Sequence, residues 1–349
     1  MSHFVLFSAE FMTKPIIGVL AGEELFATFF DERRRARLGR FSRWALVHPR
    51  KGAVGIASSC AGVDALITTW DSPHLSAEAM SQMPSVRMIA HCGGEVKKRF
   101  EESLFGNLVI VNTAEPMAGP TAELGAAFLI YAARNIDHYR DALRKRSNRI
   151  YDSVHVTGGD GHGESLLSRE VGMIGFGRIG RSLVDMLRGF DVRWRVHDPF
   201  ASKDVGVGMP VQFESLNVVL KRSSLLVVAA AATEATRHLL NRDRLAMLQD
   251  GAVVINIARG SLIDLDALTR EVESGRLRCA LDVTDPDEPL PIGHPLRTLP
   301  GSIVTPHIGG GGRVVRGEMA DTAMDELERF FGGEAVQHRV TKNMLRRMT

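Results

Sequence analysis

Apolar positions along the chain follow two rhythms that take turns. Mainly apolar runs at residues 16–20, 65–69 and 86–90, the last interrupted by Arg87, predict strands covered on both faces, which need no polar alternation. Residues 23–38 carry apolar side chains at helical spacing and predict a helix between the first two runs. A second series lies at 171–174, 192–196, 225–229, 252–257, 279–283 and 302–304, again separated by helical stretches. In the clearest of these, Ile179, Leu183, Met186, Leu187 and Phe190 recur on one face. Between the two series, residues 121–143 set Leu124, Phe128, Tyr131 and Ile136 on or near one side, as in a helix that links domains or pairs with a second subunit. A last helix is expected over 318–331, beyond the glycines Gly309 to Gly312. Alternating strands and helices predict an α/β protein, with parallel sheets and helices on both faces.

Composition narrows the class. With 349 residues, of which 44% are hydrophobic, the chain has enough material for two cores. A net charge of +2 gives no global field that would recruit nucleic acid or membrane. The basic run Arg33-Arg34-Arg35-Ala36-Arg37 and the short Arg346-Arg347 read as solvated faces. Cys60, Cys92 and Cys279 are odd in number and widely spaced, with no CxxC pair, so neither zinc nor disulfides are expected. His162, flanked by glycines, reads as part of a flexible loop over 158–163, not as a metal ligand. No apolar run reaches membrane-spanning length. Glu10 stands where a secretory leader would be basic, so a cytoplasmic protein is expected, with residues 1–11 as a poorly ordered extension.

The candidate chemistry begins at Gly175-Phe176-Gly177-Arg178-Ile179-Gly180. A chain this rich in glycine shows that spacing by chance about 0.3 times, so its context must carry the argument. The motif sits between an apolar run and a helical stretch, where a strand-turn-helix unit would place it. Such a unit needs glycine for the tight turn, for backbone approach to a pyrophosphate, and for close packing of helix on strand. The free N–H groups at the helix start then hold the phosphates. The next strand ends in Asp198, whose carboxylate can accept from both adenosine ribose hydroxyls and repels a 2′-phosphate. NAD is thus expected over NADP as the cofactor.

Beyond this turn the sequence resembles the D-isomer-specific 2-hydroxyacid dehydrogenases over nearly its whole length. The resemblance rests on residues 256–264 (Asn-Ile-Ala-Arg-Gly-Ser-Leu-Ile-Asp), 281–283 (Leu-Asp-Val), 288–291 (Glu-Pro-Leu-Pro) and 305–310 (Thr-Pro-His-Ile-Gly-Gly). Thr121-Ala122-Glu123 is similar too. The resemblance implies two Rossmann-like or flavodoxin-like domains with parallel sheets, the first discontinuous in sequence. Residues 1–118 and 312–349 would form a substrate-binding domain, and 119–311 an NAD-binding domain. It further implies that Thr233, Ala258 and Asp282 line the cofactor site, with Asp282 at the nicotinamide carboxamide. Cys92, Gly93 and Gly94 would hold the substrate carboxylate through backbone amides. A homodimer formed through the cofactor domain is the expected assembly, with a small 2-keto or 2-hydroxy acid as the other partner.

Three residues suit the reaction that this family carries out. Reducing a 2-keto acid requires a cation for the carboxylate, a proton donor for the carbonyl oxygen, and a hydride. Arg259 fits the first need, because a guanidinium binds a carboxylate through two parallel hydrogen bonds. His307 fits the second, because imidazole holds or releases a proton near neutrality. Glu288 would accept from the other ring nitrogen and fix the tautomer. His307 would also lie against the cofactor. Two alternatives share the fold: an NAD-sensing corepressor-like binding protein, and a dehydrogenase of phosphite or another oxyanion.

The chain departs from the common pattern in places. Spacing from Asp282 would select Asp287 as the partner of His307, whereas spacing from Arg259 and the Glu-Pro-Leu-Pro context select Glu288. Residues 229–232 are all alanine where relatives often carry proline, and the loop at 91–95 replaces a glycine-valine-glycine pattern. Trp70 and Asp71, at the end of a strand, fit either a pocket wall or a core and rim position.

Overall fold

The computed structural model describes residues 14–49, 52–145, 149–156 and 165–348. The extension expected over residues 1–11 and the glycine loop around His162 lie outside the described residues. The chain forms two compact units, one from residues up to Ala114 together with Arg316–Arg347, the other from Glu115–Val315. No helix among the described residues is long and apolar enough to cross a membrane.

The first unit is built on a parallel sheet of order β2-β1-β3-β4-β5. Its strands are β1 (Ile16–Leu20), β2 (Arg43–Val47), β3 (Ala65–Thr68), β4 (Met88–His91) and β5 (Val109–Asn112). β3 and β4 are buried at every position, which is why they read as mainly apolar runs. β2 is an edge strand with a single buried residue, Val47, and it opens on the charged Arg43, so it is not read as a strand from sequence. The helix expected over 23–38 is two helices, Glu23–Phe29 and Glu32–Phe41. Asp31 separates them: its extended backbone leaves the helical path, and its side chain caps the second helix by accepting from the Arg34 amide at 2.9 Å.

The basic run lies on that second helix, where Arg33 and Arg35 are exposed as expected but Arg34 and Arg37 are half-buried. Arg34 pairs with Asp321 at 2.8 Å, and Arg37 with Asp325 at 2.5 Å and Glu328 at 2.8 Å, all on the long helix Arg313–Phe331. Arg35 meanwhile lies over the Phe26 ring, 5.0 Å from its centre. The long helix begins five residues before the expected start at 318.

The second unit carries a seven-stranded parallel sheet of order β12-β11-β10-β9-β6-β7-β8. The strands are β6 (Glu170–Ile174), β7 (Arg193–His197), β8 (Val211–Phe213), β9 (Leu225–Val228), β10 (Val253–Asn256), β11 (Arg278–Leu281) and β12 (Ser302–Val304). Successive side chains point to opposite faces and enter separate cores. Leu225 and Val227 join a cluster with Phe128 and Leu183, while Leu226 and Val228 join one with Leu268 and Leu281. The helix expected over 121–143 divides into Ala118–Ala133 and Ile136–Arg144, because Asn135 between them takes the left-handed conformation, φ 48°. The first of these packs closely: a Cβ on Gly125 would lie 2.8 Å from Ile257 Cδ1.

Candidate active site

β6 is where the second sheet changes direction, with β7 and β8 on one side and β9 to β12 on the other. Ligands of open parallel sheets bind at such a point, beyond the carboxyl ends of the strands. The glycine turn stands there. Gly175 has φ 91°, and a Cβ on it would lie 2.5 Å from the Ala230 backbone, so only glycine fits. A Cβ on Gly180 would lie 2.8 Å from the Gly175 carbonyl oxygen, so this glycine lets the helix Arg178–Met186 close onto the turn. Gly177 faces open space. No side chain caps that helix, whose first residues Arg178 and Ile179 reach the surface. Uncapped amides behind an open glycine are the cradle that a pyrophosphate requires.

Asp198, just past β7, ties the turn to this strand. Its Oδ2 accepts from the Phe176 amide at 2.7 Å, and its Oδ1 from the Phe200 and Ala201 amides at 2.8 and 3.2 Å. Thr233 opens the short turn after β9, its amide donating to Thr236 Oγ1 at 2.7 Å and its hydroxyl lying 3.1 Å from the same atom.

Arg259, Asp282 and His307 follow β10, β11 and β12, three neighbouring strands, so all three emerge along one edge. Adjacent strands lie about 4.8 Å apart, so β10 and β12 are about 10 Å apart. Arg259 is half-buried on a turn fixed by Asn256, whose Oδ1 accepts from the Ala258 amide at 3.0 Å and whose Nδ2 donates to the Arg259 carbonyl at 2.9 Å. Ala258 itself is buried, and its carbonyl accepts from the Arg259 guanidinium at 2.7 Å. A Cβ on Gly260 would lie 2.1 Å from the backbone of Thr284, which locks the turn against the following loop.

His307 is held in the left-handed region, φ 55°, a conformation a non-glycine residue keeps only when its surroundings enforce it. The enforcing group is Asp282, which is 2% exposed. Its Oδ1 accepts from Thr305 Oγ1 at 2.6 Å and the Ile308 amide at 2.8 Å, its Oδ2 from the Gly309 amide at 2.9 Å, and its carbonyl from the His307 amide at 2.9 Å. Asp282, the residue expected at the nicotinamide, also anchors the histidine loop. Glu288 Oε1 lies 3.1 Å from His307 Nδ1; Asp287 and Glu288 are both exposed, and it is Glu288 that turns to the imidazole. Nε2 has no hydrogen-bond partner among the described residues, so it can meet a ligand.

Cys92, Gly93 and Gly94 belong to the first unit, after β4. Cys92 is fully buried, which pushes its thiol up to about 12, and its amide donates to the Thr68 carbonyl at 2.8 Å. It therefore offers a ligand neither charge nor donor. The Gly94 and Glu95 amides have no partner among the described residues. Trp70 packs edge-on against Phe29, whereas Asp71 lines a cavity of about 730 Å³ with Gly22 and His48. Asn256, Gly260 and Thr305 had no role assigned from sequence. An asparagine closing an apolar strand is turn chemistry and was the available signal.

The family description "D-isomer specific 2-hydroxyacid dehydrogenase, NAD binding domain" matches residues 126–309. The chain is 30% identical over 294 residues to the glyoxylate reductase of Thermococcus kodakarensis, covering 81% of this chain and 85% of that one. It is 29% identical over 254 residues to the hydroxypyruvate reductase of Thermotoga maritima, covering 71% and 78%. A solved phosphoglycerate oxidoreductase from Rhizobium etli superposes with a TM-score of 0.73 at 28% identity, over 93% of this chain and 98% of that one. With a match to more than half of its length, the chain belongs to the D-isomer specific 2-hydroxyacid dehydrogenases, NAD-dependent oxidoreductases that interconvert 2-keto and 2-hydroxy acids.

Proposed function

We propose that the protein reduces a small 2-keto acid, of the glyoxylate or hydroxypyruvate kind, to the D-2-hydroxy acid, with His307 as general acid and Arg259 as carboxylate clamp. The observation that carries this reading is the 3.1 Å contact of Glu288 with His307 on a loop anchored by Asp282. With Nδ1 committed to Glu288, the proton for the carbonyl oxygen comes from Nε2, and it returns there in the reverse reaction. Arg259 holds the carboxylate and draws electron density from the neighbouring carbonyl. Gly175, Gly177, Arg178, Ile179 and Gly180 would hold the NAD pyrophosphate, Asp198 the adenosine ribose, and Thr233 and Ala258 the far half. The bound cofactor supplies or accepts the hydride. The glyoxylate and hydroxypyruvate reductases among its relatives support the choice of small substrates, and no observation favours the corepressor or the phosphite dehydrogenase.

The partner is read as a second copy of the chain. The helix Ala118–Ala133 buries its apolar face in its own unit, so the contact would rest on side chains C-terminal to it, namely Ile136, Leu143, Tyr151 and Val154, all exposed. The three cysteines are buried and none forms a disulfide, which fits a reducing cytoplasm.

The test is NADH oxidation with glyoxylate, hydroxypyruvate and pyruvate, and NAD reduction with phosphite, for the wild type and His307→Asn. Asparagine can bind the carbonyl but exchanges no proton. Turnover is expected to fall about a hundredfold to ten-thousandfold while the NADH Kd holds. Full activity in the variant would overturn the scheme, and turnover of phosphite alone would overturn the substrate class.

A further inference from the structure

The loop after β4 is wrapped around a histidine. His91, the last residue of β4, is 1% exposed, and its Nδ1 lies 2.9 Å from Thr68 Oγ1 on the neighbouring β3. The ring meets Phe100 edge-on, at 5.6 Å between centres, and has the Glu95 backbone as a second polar partner. On its loop side it fills the place a side chain at Gly93 would take: a Cβ there would fall 2.3 Å from Nε2. The His91 carbonyl accepts from the Gly93 amide at 2.9 Å and the Thr113 amide at 3.1 Å, so the strand end also grips the loop through its backbone. Burial, with the Arg99 charge behind it, lowers the ring to about 3, so it is neutral throughout ordinary assay conditions.

We propose that His91 is a positioning residue for the substrate: its imidazole is the solid form on which the loop 92–95 is shaped, and it thereby aims the Gly94 and Glu95 amides at the carboxylate of the keto acid. This rests on the reading that the loop receives that carboxylate. Two amides bind one anion well only when their N–H directions converge. A segment with two adjacent glycines has no preference for such a shape, because glycine samples backbone space widely. The shape must come from what the loop rests on, and on one side of Gly93 that is the imidazole ring. The ring and the missing side chain at Gly93 are then one device, with each explaining the other.

The device is tested with His91→Ala, His91→Gln, Gly93→Ala, the double variant His91→Ala with Gly93→Ala, and Gly94→Pro. KM and kcat are measured for glyoxylate, and NADH affinity by fluorescence. Gly93→Ala is expected to raise KM about tenfold or more, with kcat within about threefold, because a loop displaced by an ångström misaligns binding before chemistry. Once the ring is gone, adding Gly93→Ala should cost less than about twofold more. Glutamine at 91, which can still accept from Thr68, should recover part of the alanine loss. If Gly93→Ala costs the same with and without the ring, the proposal fails. It also fails if His91→Gln and His91→Ala leave KM unchanged in protein that binds NADH. Should His91→Ala not fold, the Gly93→Ala and His91→Gln split of KM from kcat decides. Gly94→Pro deletes a loop amide without touching the ring. An unchanged KM there would remove the reading beneath the proposal, whereas a raised KM there with a normal His91→Gln removes the proposal alone.

Discussion

Asp198 shows how one side chain serves both cofactor choice and the shape of the site. Its two oxygens hold three backbone amides, one of them from the glycine turn itself. Asp198→Ala therefore removes ribose acceptors, a charge that repels a 2′-phosphate, and a strut of the turn. The kcat/KM for NADH is expected to fall roughly tenfold to a hundredfold, taking about 1.5–3 kcal/mol for hydrogen bonds to a charged group. The NADPH to NADH ratio of kcat/KM should rise, and an unchanged ratio would remove Asp198 from cofactor choice. At this scale the sequence exposed residue types but not their contacts. Glu288 and Asp287 are neighbours of equal charge, and only the course of the loop decides which one meets His307. Asp282 stood out as a strand-end acid, yet its bonds to residues 305, 308 and 309 depend on how the β12 loop folds back over β11.

Elements were readable where burial was complete. Strands sealed on both faces show as apolar runs, and the strands β3, β4, β9 and β10 sit within a residue or two of them. β2 and β8 are short edge strands that carry a polar residue, Arg43 and Gln212, and bury little, so neither is read as a strand from sequence. The breaks at Asp31 and Asn135 were hidden because the helical period continues across them. Charge was misleading in part, since Arg34 and Arg37 find their partners nearly three hundred residues away. Arg37→Gln removes pairs to both Asp325 and Glu328, with the arginine side chain only 29% exposed. Partly exposed pairs contribute about 0.2–1 kcal/mol each, so a loss of about 1 kcal/mol and a fall in Tm of about 2–4 °C are expected. The difference should shrink in 0.5 M salt, roughly a Debye length of 4 Å, and a salt-independent loss would assign it to packing instead.

For the molecule as a whole, His91 makes acid stability a property of the first unit. Its protonation is disfavoured by burial, next by Arg99, and only the Glu95 backbone favours it. The unfolded chain takes up this proton near pH 6.5 and the folded unit only near 3, so the unfolded state binds more protons between those values. The contribution is complete above pH 6.5 and is lost as pH falls toward 3, with a slope of up to about 1.4 kcal/mol per pH unit. Melting curves from pH 7 to pH 4 should show this loss in the wild type and a flatter profile in His91→Gln. Equal slopes would mean that other groups govern acid unfolding.

During synthesis the two units are completed in the reverse of their order of appearance. Glu115–Val315 is whole once its last residue leaves the ribosome, with its cofactor turn and both cores in hand. The sheet that emerged first still lacks Arg316–Arg347, and with it the acids that Arg34 and Arg37 require. Chains elongate at about 5–20 residues per second, so the earlier-made sheet waits tens of seconds for its last helix. Its β5 edge, along which residues 338–340 pair in the finished unit, and its arginine helix stay uncovered meanwhile.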